Sequence, residues 1–68
     1  MPISWEKNTL RQALALKRPS EDSISYLQRL WDLDCPPAYF IDAARSQGFI
    51  VTCSWDVATQ MPVHVHFH

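Results

Sequence analysis

Glycine is almost missing: Gly48 is the only one in 68 residues. That excludes a glycine-rich phosphate loop and the nucleotide-binding motifs built on one. Cysteine is scarce too. Cys35 and Cys53 do not make a disulfide framework, so a reducing, cytoplasmic setting is the expectation. An excess of positive charge is also lacking. The net charge is −1, whereas a bare nucleic-acid-binding domain of this size is usually clearly basic. Met1-Pro2-Ile3-Ser4-Trp5-Glu6 has no apolar leader core, and no run approaches the ~20 apolar residues of a membrane span. Nor is there a nucleophile beside an obvious base, or a carboxylate pair placed for acid–base work. A non-enzymatic protein is expected, with no cofactor, no small-molecule substrate and no membrane partner.

What is present is enough apolar material for one domain. The apolar share is 47%, which argues against disorder. A chain this short buries only ~60% of its extended surface, so residues 1–68 read as one small domain of modest stability. Charge is unevenly placed. Residues 1–18 set Glu6 against Lys7, Arg11, Lys17 and Arg18, while residues 19–44 set Glu21, Asp22, Asp32, Asp34 and Asp42 against Arg29.

Periodicity divides the chain. A first helix should follow an N-cap at Ser4 or Asn8 and run to about Lys17, with Leu10, Ala13 and Leu14 on one face. Pro19 ends it. Asp22 or Ser23 should cap a second helix that presents Ile24, Leu27, Leu30 and Trp31. Cys35-Pro36-Pro37 opens a third helix, because proline in the first turn lacks only an N–H that would be unbonded anyway. It should close near Gln47, with Gly48 as the left-handed terminal residue. Phe49–Trp55 and Val63–His68 then alternate as half-buried strands, joined by a loop over Asp56–Pro62. The expected core is Leu27, Trp31, Leu33, Ala38, Ile41, Val51, Val65 and Phe67. Leu33 points back from the turn, and Ala38 with Ile41 forms the inner face of the third helix.

From Ser23 onward, this order resembles the winged helix-turn-helix domains of small phage and bacterial DNA-binding regulators. The likeness is carried by Leu27, Trp31, Leu33, Ala38 and Ile41, and by the run Asp42-Ala43-Ala44-Arg45-Ser46-Gln47-Gly48 passing at once into apolar Phe49-Ile50-Val51. It implies an α+β fold of three helices followed by a β-hairpin wing, with the third helix approaching a groove of double-stranded DNA. Members usually place Arg, Lys, Ser, Thr or Gln at the start of that helix. Here Asp34-Cys35-Pro36-Pro37 stands there, followed by Tyr39 and Phe40.

Two binding readings follow. In the first, Pro37, Tyr39 and nearby backbone amides face DNA while Lys17, Arg18, Arg29 and Arg45 meet phosphates. In the second, Pro36, Tyr39, Phe40 and Ala43 form a patch for a protein partner, a second copy of the chain included. Packing of Tyr39 or Phe40 beneath the wing competes with both. His64, His66 and His68 share a strand face at a spacing that suits zinc, but no Cys or acid motif completes a ligand set. They read as the polar outside of the wing, and no metal is expected.

Overall fold

The computed structural model describes residues 8–16 and 19–68. Helices α1 (Thr9–Leu16), α2 (Glu21–Asp32) and α3 (Pro37–Ser46) precede an antiparallel hairpin of β1 (Val51–Asp56) and β2 (Met61–Phe67). Three helices followed by a two-stranded wing is the α+β winged helix-turn-helix arrangement.

Each helix end has a local cause. The Asn8 carbonyl accepts the Gln12 N–H at 2.9 Å and starts α1; Ser4 and Lys17 lie outside the described residues. The α2 cap is Ser20, not Asp22 or Ser23. Pro19 is followed by extended backbone at Ser20 (φ −154°, ψ 164°), and the Ser20 hydroxyl accepts the Ser23 N–H at 3.1 Å. Ser23 is instead buried in the first turn, and its hydroxyl donates to Gln47 Oε1 at 3.0 Å, tying the start of α2 to the end of α3. Glu21 and Asp22 then sit where the positive helix end favours acids.

Helices α2 and α3 both close with a left-handed residue that turns the chain and returns two N–H groups to the last helical turn. In α2 it is Asp34 (φ 59°), which donates to the Trp31 carbonyl while Cys35 donates to that of Leu30. In α3 it is Gly48 (φ 98°), donating to Arg45, with Phe49 donating to Ala44. This geometry corrects Leu33. It holds the last position before the turn and is 70% exposed, while Leu30 and Cys35 pack against the core in its place. A Cβ on Gly48 would stand 3.2 Å from Pro19 Cγ as well as forcing a left-handed side chain. Gly48→Ala is therefore expected to lower stability by about 1–2 kcal/mol, measured as a lower urea midpoint with unchanged slope.

The buried stripe of α3 is Pro37, Phe40, Ile41 and Ala44, with Ala43 at its edge. The spacing i, i+3, i+4, i+7 is the widest apolar face available once Pro37 is the first helical residue. Ile41 is inward as expected, whereas Ala38 is only half-buried. Phe40 is fully buried and meets Trp31 edge-on, with ring centroids 5.4 Å apart. Leu27, Phe40, Ile41, Phe49, Val51, Val65 and Phe67 join Ala13 and Ala44 in one core, with Phe49 and Phe67 edge-on at 5.6 Å. Trp31 is half-buried at its margin.

The wing is not the plain alternation its sequence suggests. Thr52 pairs with His66 and Ser54 with Val63, so Cys53 alone faces both His64 and Val65. The extra residue makes a bulge, and His64 takes the left-handed position (φ 54°) that glycine often fills. Inward parity reverses across it: Val65 and Phe67 are buried, then Pro62 is buried and Val63 only half so. The hairpin tip is also shorter than expected, a turn over residues 57–60. Asp56 closes it, accepting from the Ala58 N–H through its carboxylate and from the Gln60 N–H through its carbonyl.

Candidate partner interface

Helices position the wing by their side chains. Gln12 on α1 donates from Nε2 to the Val65 carbonyl at 3.0 Å and accepts the Phe67 N–H on Oε1 at 3.1 Å. One amide thus takes the place of a neighbouring strand along β2. On the other edge, Arg45 of α3 donates from Nε and Nη2 to the Val51 carbonyl at 3.3 and 2.9 Å. Gln12 and Arg45 thus reach the two strand edges from opposite sides.

That second contact decides what α3 can present. Arg45 is the only cation in α3, and its guanidinium is turned onto β1. The outward residues Tyr39, Asp42 and Ser46 recur at i, i+3 and i+7 and so share one face. On α2, Asp22 and Tyr26 are four apart and face outward together. Where the helices meet, Tyr26, Tyr39, Asp42, Ala43 and Ser46 line an open depression of about 290 Å³. Tyr39 is 54% exposed at its rim, and the buried Ala43 contributes the floor. The Ser46 hydroxyl donates to the Ala43 carbonyl at 2.9 Å, which leaves its lone pairs for a visitor. Among the described residues no cation pairs with Asp42. Glu21, Asp22, Asp32 and Asp34 are exposed around the same two helices.

The two phenols are in contact. A hydrogen bond with Tyr39, together with its charge when ionised, raises the pKa of Tyr26 above the ordinary phenol value, and slight burial adds to it. The chain has only two tyrosines, so in a Tyr39→Phe variant all phenolate absorbance belongs to Tyr26. Its alkaline titration is expected to fall back toward the usual range near 10; a midpoint still raised would mean that Tyr39 is not the cause.

The remaining candidate residues are scattered or occupied. Lys17 and Arg18 lie outside the described residues. Arg29 and Pro36 are exposed. Pro37 and Phe40 are buried, and Ala43 is 8% exposed, so none of the three forms an outward patch. They are withdrawn from the DNA-facing and partner-facing sets, except for the part Ala43 plays as floor. The face was misplaced because three apolar neighbours, Phe40, Ile41 and Ala43, allow more than one inner stripe. Tyr26 was overlooked, although its four-residue spacing from the exposed Asp22 placed it at the margin of the wet side of α2.

Elsewhere, Asn8, Arg11, Gln12, Ala15 and His66 line an open groove between α1 and β2. His66 and His68 are exposed, and His68 Nε2 lies 2.9 Å from Thr52 Oγ1. The bulge takes His64 out of strict alternation with them. Among the described residues, no group of three or more His, Cys, Asp or Glu side chains converges as a metal site. Cys35 and Cys53 are free thiols, and burial raises the pKa of Cys35. No described helix is long and apolar enough to cross a membrane. No family model matches the chain, and neither curated proteins nor solved structures yield a match.

Proposed function

We propose that this winged helix is a non-enzymatic regulatory module that binds a protein partner on the α2–α3 face around Tyr39. One observation carries the reading: the outward face of α3 consists of Tyr39, Asp42 and Ser46, while the helix's only cation is spent on the Val51 carbonyl. Binding to a phosphate backbone draws on free Lys and Arg, and an acidic surface repels it. A half-exposed aromatic beside a shallow depression is instead the usual anchor of a protein contact. Occupancy of this face would recruit or block another protein in the cell. The test is selection of random peptides against the immobilised protein, followed by rebinding to Tyr39→Ala. Peptides that lose affinity for the variant support the reading, and a selection yielding none contradicts it.

A second reading, binding of double-stranded DNA, draws support from Arg11. It shares the α1–β2 groove with His66, on the end of the chain that also carries Lys7, Lys17 and Arg18. DNA would then lie against α1 and the wing rather than be read by α3. With ~2–4 phosphate contacts, the slope of log K against log salt is expected at roughly −2 to −4. Arg11→Ala should reduce it by about one. Absence of duplex binding even at low salt removes this reading.

A further inference from the structure

We infer that the depression between Tyr26 and Tyr39 is a receptor for an arginine side chain of the partner, its guanidinium set against the Tyr rings and paired with Asp42. The inference rests on the protein-binding reading and names the chemistry of what is bound.

The walls of the depression offer almost nothing but acceptors and π faces. Two tyrosines line it, Asp42 adds a carboxylate one turn along α3 from Tyr39, and Ser46 presents lone pairs because its proton is committed to Ala43. Among the described residues, no basic side chain lines it, and Arg29, three residues beyond Tyr26, is not part of its wall. An anion would meet Asp42, and a purely apolar group would strip water from that carboxylate without replacing its hydrogen bonds. A cation satisfies every wall: tyrosine faces attract it, and a carboxylate strengthens the hydrogen bonds it donates. Arginine fits better than lysine, because its flat guanidinium can stack on a ring and still donate sideways to Asp42. Its methylene stem can lie over the Ala43 floor. Beyond the depression, the exposed acids Glu21 and Asp22 on α2 favour a partner segment that is basic overall.

The test is NMR titration of the labelled protein with the peptide acetyl-Gly-Ala-Arg-Ala-Gly-amide, and with the same peptide carrying citrulline, which keeps the shape but not the charge. The arginine peptide is expected to shift the Tyr26 and Tyr39 ring signals and the Asp42 and Ser46 amides, saturably. The citrulline peptide should bind about tenfold more weakly, and Asp42→Asn should weaken the arginine peptide by a similar factor. Asp42 is exposed, so the variant is expected to fold, checked by its circular dichroism. Equal shifts from both peptides, or none from either, overturn the inference. So do concentration-dependent shifts without peptide, which would place the basic residues 7–18 of a second copy in the site. Selected peptides that need Tyr39 but carry no cation would overturn the arginine site and leave the protein-binding reading standing. Loss of all Tyr39-dependent peptides removes both.

Discussion

Phe40→Ala is expected to remove about 3–5 kcal/mol of stability, a large share of what so short a domain holds. A domain of this length holds ~3–10 kcal/mol in total. Phe40 is the largest fully buried side chain among the described residues, and it joins the two helices of the helix-turn-helix through its edge-on contact with Trp31. Removing the ring leaves a cavity in the core that Leu27, Ile41, Ala44 and the wing residues share. Trp31→Ala should cost less, because part of that ring is already in water. Urea unfolding followed by Trp fluorescence and circular dichroism measures both. A Phe40→Ala protein with an unshifted midpoint would remove the proposed packing of α2 on α3. Phe40→Glu belongs with it: that substitution unfolds the domain rather than splitting a dimer.

Gln12→Ala is expected to cost about 2–3 kcal/mol, unusual for a half-buried polar residue. The Gln12 amide satisfies two backbone groups of β2, the Val65 carbonyl and the Phe67 N–H. Alanine removes the Gln12 bond from both, and each lost bond to a part-buried backbone group costs roughly 1–3 kcal/mol, reduced where water or another group can replace it. The loss should be local first. Amide exchange at Phe67 should speed up, and the wing should loosen before α2 and α3 do. Gln12→Glu separates volume from hydrogen bonding: a carboxylate still accepts from Phe67 but cannot donate to Val65 when ionised. Unchanged exchange at Phe67 in Gln12→Ala would mean that α1 does not hold the wing through this amide.

Much of the architecture was legible because it rests on local signals. Proline in the first turn fixed the start of α3, and the single glycine fixed its end. Alternation in Phe49–Trp55 and Val63–His68 marked a hairpin. Other features depended on choices made only in three dimensions. Leu33, two residues after Trp31, reads as core although Asp32 and Asp34 flank it, but the left-handed turn at Asp34 puts Leu33 outside and brings Cys35 inward. The bulge at His64 needs an uncommon backbone angle at a residue type that sequence rules assign to plain strand. Phe40, Ile41 and Ala43 allowed two inner faces, and the Trp31 contact selected the one that buries Phe40. The candidate site was half visible: Tyr39 and Asp42 stood out, whereas Tyr26 enters only because the crossing of α2 and α3 brings its hydroxyl to that of Tyr39. The fate of Arg45 was not visible at all, since its hydrogen bond goes to a strand carbonyl.

Arg45 bears on the central claim, that the outward face of α3 serves protein and not DNA. The direct measurement is an amide NMR titration of the folded protein with a duplex of about twenty base pairs at low salt, where phosphate attraction is strongest. The signals of Tyr39, Asp42 and Ser46 are predicted to stay in place, with any shifts confined to Arg11, Gln12 and His66 along the α1–β2 groove. Saturable shifts at Tyr39, Asp42 and Ser46 on adding the duplex would contradict the claim and return α3 to the role of a DNA-reading helix.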